Sequence, residues 1–362
     1  MKQYKFDHHY LKSLLKDSKL QHNDGIISKK DYDLIETIVN NLLHGSNPKN
    51  DSTKIFDIDI INSKLNRLKQ ELGMDLIEKI FYISDSIVRT HSYYKTHKDS
   101  YKESDIDLVT NVLNFYSNYD YRQYRYLDSI VHKPNSQLEI VKNNFINRKL
   151  YFSGLLTIPF YNLEFIRIIK ENRLYDEAVL CHELRHIIDI RDTSISSLDF
   201  NAYSEVNSIS MELYYEMKNI KSNSEYKIGI KERMNQLRYI AKQVNNYMEL
   251  LIVAENDKLS IDMIEEIFDL KTKKELRDTL LELSNDGGYE LITYFIGTIK
   301  GIYLCNIALD DKKEAINLQD KICSILASDT FIPKNIEDKV GKEFNIRESD
   351  IKVYKKFNKK LK

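Results

Sequence analysis

A mainly α-helical, multi-helical fold is predicted, and three observations carry that reading. Ten glycines and four prolines in 362 residues leave few breaks in the chain. Apolar residues recur at helical spacing along most of it, and no fixed-period repeat or Pro-, Gly- or Ser-rich linker divides it. With 42% apolar and 30% charged residues, the composition is that of a globular chain able to bury a sizeable core.

The elements can be justified in order. "FDIDIINSKLNRLKQELG" sets Ile58, Ile61, Leu65, Leu68 and Leu72 on one stripe and stops at Gly73. "MDLIEKIFYISDSIVRT" begins at once, with Leu76, Ile77, Ile80, Phe81, Ile83, Ile87 and Val88 apolar. So short a junction predicts an antiparallel helix pair. Further helices are expected over roughly 105–116, 136–147, 162–170, 175–190, 199–218, 227–253, 260–268, 273–283, 289–308 and 312–327. "KLYFSGLLTIPF" departs from the pattern, being aromatic and β-leaning with Gly154 inside and Pro159 near its end. It reads as a short strand or hairpin, or as one more buried helix turn. The expected organisation is an N-terminal helical region over 1–149, a helical core over 150–308 and a helical tail over 309–362.

Charge and cysteine usage narrow the partners. Lys and Arg (54) nearly cancel Asp and Glu (55), so no global field points to nucleic acid or membrane. The basic end "KVYKKFNKKLK" reads as a solvated terminus. The first twenty residues are charged throughout and hold no apolar signal region, and no long uncharged apolar window suggests a membrane span. Cys181, Cys305 and Cys323 are odd in number and widely spaced, as reduced thiols are, and a cytoplasmic protein is expected.

The chemistry gathers in "VLCHELRHIID". His182 and His186 are four apart and share one helix face, where neutral imidazoles can hold one zinc ion from two corners of a tetrahedron. Glu183, offset by one position, can reach a water at the metal and act as general base. Ala178, Val179, Leu180, Leu184, Ile187 and Ile188 make the helix a buried one, and buried imidazoles need a reason. The plain alternative is satisfied core or surface histidines. Cys181 points about 100° from His182 and reads as a small buried residue.

A catalytic zinc needs a third ligand and an open position. After the polar loop "RDTSISS", the segment "DFNAYSEVNSISMELYYEMK" reads as a second amphipathic helix, with Glu205 nineteen residues beyond His186. An αα-hairpin of that length can aim the Glu205 carboxylate at the metal. Glu212, seven residues on, either orients a ligand or is an ordinary exposed glutamate. Asp189 either holds an imidazole N–H or pairs with Arg185 or Arg191, and the ion pair is preferred.

"HELRH" followed by "SEVNSISMEL" resembles the thimet oligopeptidase/oligoendopeptidase F family of zinc peptidases, whose downstream helix reads Glu-x-x-Ser-x-x-x-Glu. Glu205, Ser208 and Glu212 match it residue for residue. The resemblance implies a gluzincin fold, one zinc ion held by His182, His186 and Glu205, Glu183 as base and oligopeptides as substrates. "NDGGYELITYFIGTIKG" is similar to the family's tyrosine segment at Gly287, Gly288, Tyr289, Tyr294 and Gly297. That similarity implies a hydrogen bond from Tyr289 to the oxyanion. Read from the residues alone, Tyr289 is equally a tyrosine packing over a turn, and for Tyr294 the packing reading is preferred. Three departures stand out: Arg185 replaces the family's usual Gly, no His follows His186, and family members are much longer. Glu205, Asn207, Glu212 and Leu213 also fit the ImmA/IrrE type of regulatory zinc protease. That type usually continues with Leu-Met-Pro, absent here, and has no counterpart to the Gly-Gly-Tyr helix. The expected function is a zinc metallopeptidase acting on peptides, the alternatives being a regulatory protease for one protein partner or an inactive zinc-binding helical protein.

Overall fold

The computed structural model describes residues 4–45, 58–96, 101, 103–132, 137–143, 153–161, 163–193, 201–254, 259–285, 288–328 and 330–361. These residues are mainly helical, with one three-stranded sheet. Contacts divide the chain into two units, each made from two stretches of sequence: Met1–Asn50 with Lys98–Ser197, and Asp51–His97 with Leu198–Lys362.

In the first unit, Asp7 and Ser28 accept backbone N–H groups and so start α1 (His8–Asn23) and α2 (Lys29–His44). Leu11, Leu14, Ile35, Val39 and Leu42 of these helices share a core with Ile158 and Phe165 of the sheet. Strands β1 (Leu138–Lys142), β2 (Gly154–Ile158) and β3 (Leu163–Lys170) lie in the order β1-β3-β2. β1 runs parallel to β3, and β2 pairs antiparallel with it through the 3-10 turn Pro159–Tyr161. The hairpin reading of "KLYFSGLLTIPF" thus describes 154–158, while its residues 149–152 lie outside the described residues.

The helices expected over roughly 136–147 and 162–170 are instead β1 and β3. "LEFIRIIK" is a short, nearly continuous apolar run, which fits a strand buried on both faces as well as a helix turn. Its β-branched isoleucines and its place between two partner strands decide for the strand. Phe165 meets Phe6 edge-on at 5.5 Å, and α7 (Tyr175–Thr193) packs on β3 and β2. α5 (Asp105–Tyr119) and α6 (Tyr121–Val131) also pack against α7.

One buried cation ties this unit together. Arg167, 2% exposed, donates from Nε to Glu139 of β1 at 2.7 Å and from Nη2 to the Leu42 carbonyl at the end of α2 at 2.7 Å. Its guanidinium also lies over the Phe6 ring. Replacing it strands a carboxylate and the last carbonyls of a helix. Arg167→Leu is expected to lower the stability read by urea unfolding by about 3–5 kcal/mol. A loss near zero would show that the network contributes nothing.

In the second unit, α3 (Ile58–Leu72) and α4 (Met74–Thr90) meet at Gly73, whose φ of 72° suits glycine. α4 packs along α9 (Tyr226–Val253), and α8 (Val206–Asn219) along α12 (Tyr289–Asp310). α10 (Ile261–Ile267) and α11 (Lys273–Asn285) lead into α12. It is followed by α13 (Lys312–Leu326), α14 (Ile336–Lys339) and α15 (Asp350–Lys359). By length and composition α12 could cross a membrane, yet 72% of its most apolar window is buried within the protein. A helix apolar all round is what a core helix looks like. Its buried Lys300 is satisfied by Asp350 at 2.7 Å and by the carbonyls of Glu343 and Asn345.

Candidate active site

α7 begins where Asp176 accepts the backbone N–H groups of Glu171 and Arg173, both at 3.1 Å. Burial pushes that carboxyl up to about 6. From Asp176 to Ile190 every residue of the helix except Val179 is buried, charged ones included. His182 and His186 lie one turn apart, their rings edge-on with centroids 4.8 Å and Nε2 atoms 3.1 Å from each other. Two nitrogens held by one tetrahedral metal at about 2.0–2.1 Å would be roughly 3.3 Å apart, so the spacing is compatible with a shared metal as well as with a hydrogen bond between the rings. Glu183 is buried beside them.

The rest of α7 is held from behind. Arg185 donates from Nε and Nη2 to Asp189 Oδ1 at 2.9 and 2.7 Å, and both residues are 0% exposed. Arg185 is thus paired with a carboxylate of its own helix one turn on. Tyr116 of α5 donates its hydroxyl to the Cys181 carbonyl at 2.8 Å. Burial pushes the Tyr116 phenol up, with Cys181 adding to the rise and Arg185 opposing it. Cys181 itself is buried.

At the helix start, Asn111 of α5 donates to Glu103 at 2.8 Å and to Glu177 at 2.7 Å. Burial and then the neighbouring Glu177 push the Glu103 carboxyl up to about 8. A carboxyl raised in the folded state from an ordinary value near 4.5 gives stability that is fully present below that value and lost as pH rises through about 8. The midpoint of unfolding is therefore expected to fall between pH 5 and 8, and Glu103→Gln is expected to flatten that fall. An identical profile in the variant would rule the pair out as its source.

In the second unit, Glu205 stands not within α8 but immediately before it, as the N-cap residue. Its carboxylate accepts from the Ser208 hydroxyl at 3.2 Å. The turn leading to it is fixed at three points: Asn201 donates to the Ile325 carbonyl, Ala202 N–H to the Phe331 carbonyl, and the Tyr203 hydroxyl to the Phe344 carbonyl. Nothing in the local sequence marks Asn201 or Tyr203 as anchors, because their partners lie more than a hundred residues away. A Cβ at Gly297 would sit 2.4 Å from Glu205 Cβ, and one at Gly301 3.0 Å from Ile209 Cγ2. These glycines let α12 approach the start of α8. Gly297→Ala is expected to cost about 1–3 kcal/mol in thermal or urea unfolding, since the opposing atoms belong to a fixed backbone. Wild-type stability would show that the helices can part freely.

Glu212 is buried and held by Arg233 of α9, whose Nε donates to it at 3.0 Å. Burial, and then the Glu212 charge, push the adjacent Glu216 well up. Tyr289 opens α12, half-buried, its ring edge-on to Phe331 at 4.8 Å. Gly288 before it has φ 90°, and a Cβ there would meet the Tyr247 ring at 2.6 Å. Tyr294 is half-buried on the same helix. Gly287 and residues 194–197 of the polar loop lie outside the described residues. His182, His186 and Glu205 are thus a buried imidazole pair and a buried carboxylate, donor types that could bind a metal.

No protein-family model and no curated protein matches the sequence. Solved structures do. A Bacillus anthracis protein described as an oligoendopeptidase F aligns at a TM-score of 0.54 and 14% identity, over 94% of this chain and 64% of that one. The chain has the oligoendopeptidase F fold. A second structure described as oligoendopeptidase F aligns at 0.51 and 15% identity, over 96% of this chain and 66% of its own. PZ peptidase A with an inhibitor aligns at 0.51 and 14% identity, over 85% of this chain and 59% of its own. This oligoendopeptidase F fold is mainly helical, as the composition and periodicity predict. The chain spans 64% of the length of the first of these neighbours.

Proposed function

We propose that the protein is a zinc metallopeptidase that hydrolyses peptide bonds in oligopeptides. The observation that carries this reading is the buried His182–His186 pair at a spacing compatible with a shared metal, with Glu183 beside it on the same helix. The fold shared with peptidases supports it. His182, His186 and Glu205 would hold one zinc ion, with Ser208 steadying the Glu205 carboxylate. When bound, zinc polarises a scissile carbonyl and lowers the pKa of water. Glu183 would take the proton from the attacking water and pass it to the leaving amine. The Tyr289 hydroxyl would donate a hydrogen bond to the oxygen on which negative charge develops.

Purified protein is expected to carry one zinc per chain by elemental analysis, and Glu205→Ala to lose it on dialysis; unchanged retention would remove Glu205 from the site. In a quenched-fluorescent peptide library, Glu183→Gln is expected to cut turnover by roughly 10²–10⁴-fold with zinc content intact. Equal background turnover in both proteins would leave a zinc-binding protein without peptidase activity. Tyr289→Phe is expected to lower kcat by about 10²–10³-fold, and a full kcat would take Tyr289 out of the mechanism.

A further inference from the structure

Phe331 is a fully buried aromatic on the irregular stretch between α13 and α14. Connecting segments run over a protein's surface, so a phenylalanine drawn to 0% exposure from one of them is an anchor. The Thr330 hydroxyl donates across it to the Ile332 carbonyl at 3.1 Å and so shapes the stretch locally. From there Phe331 reaches in two directions. Its carbonyl accepts the Ala202 N–H at 3.0 Å and so holds the turn that presents Glu205. Its ring meets the Tyr289 ring edge-on, with centroids 4.8 Å apart and planes 81° to each other. Tyr289 is the first residue of α12 and has no helical turn before it, so the direction of its ring depends on tertiary contacts. An edge-to-face pair constrains the angle between two rings, which an aliphatic neighbour does not do. The turn bearing the carboxylate and the start of α12 thus share one buried reference point.

We infer that Phe331 is a positioning residue that ties the Glu205 turn to the Tyr289 ring. The inference rests on the roles proposed for Glu205 and Tyr289 and adds the residue that sets them relative to each other. The Phe331 ring fixes the direction of the Tyr289 phenol, and the Phe331 carbonyl fixes the turn ahead of α8. Its partners at Ala202 and Tyr289 lie 129 and 42 residues back in the chain, so no local pattern marks Phe331 in the sequence.

Amide hydrogen exchange on metal-free protein, with steady-state turnover of quenched peptides by zinc-loaded protein, tests this. Phe331→Leu keeps the carbonyl and an apolar side chain but removes the ring edge. It is expected to raise exchange over 289–296 about 10-fold relative to α9, while the Ala202 amide stays protected. It is also expected to lower kcat about 10-fold with KM and zinc content unchanged; tenfold is about 1.4 kcal/mol, the scale of one edge-to-face contact. In a Tyr289→Phe background the same change is expected to lower kcat no further. Phe331→Gly frees the backbone as well, and is expected to expose the Ala202 amide and weaken zinc retention. A merely structural ring would raise exchange evenly across the unit and lower kcat equally in both backgrounds. Either result would overturn the inference, as would wild-type exchange over 289–296 in Phe331→Leu or at Ala202 in Phe331→Gly. Should the Gly variant fail to fold, the Leu variant carries the test alone. Wild-type protein without turnover would sink the peptidase reading, and exchange over 289–296 would then decide the positioning by itself.

Discussion

Burying a charged helix is the constraint on which the first unit depends. α7 carries Asp176, Glu177, Glu183, Arg185, Asp189 and two histidines into the interior. An isolated charge there is expensive, so each must meet a partner or change its protonation. The neighbouring elements supply those partners. The chain before α7 offers backbone N–H groups to Asp176, α5 brings Asn111 to Glu177 and Tyr116 to the Cys181 carbonyl, and α7 pairs Arg185 with its own Asp189. The sheet beneath gives the apolar residues of the same helix somewhere to go.

The second unit solves a different problem, that of holding one carboxylate still at the end of a helix. Glu205 has no capping role, since its side chain bonds no backbone N–H of α8. It is fixed instead by the anchored turn Asn201–Glu205, by Ser208, and by the close approach of α12 at Gly297. Those glycines leave no side-chain layer between the two helices, so a small movement of α12 would be felt directly at Glu205. The helix carrying Ser208 and Glu212 and the segment carrying Tyr294 and Gly297, which are far apart in the sequence, are two sides of one packing contact.

The shared fold and the local departures carry different weight. At 14–15% identity the neighbours speak to architecture. The functional reading rests on this chain's own histidine pair and its adjacent glutamate. Arg185, a departure from the resembling sequences, pairs with Asp189 one turn away.

What the sequence determined by itself is what depends on spacing along one helix. The i, i+4 register of His182 and His186, the position of Glu183 and most helix spans follow from 3.6-residue periodicity, which needs no knowledge of the rest of the chain; the periodicity left Asp189 to pair with Arg185 or Arg191, and the structure selects Arg185. Tertiary structure decided what depends on partners far away in sequence. β1 and β3 are strands because they pair with each other, although their short apolar runs suit a helix equally well. Glu205 lies ahead of α8 because Asn201 and Tyr203 bind carbonyls more than a hundred residues on, and no local preference encodes that. Likewise α3 and α4 join the C-terminal helices in one unit because α4 finds its apolar complement along α9. Hydrophobic burial has no direction, and only the assembled chain fixes which face meets which.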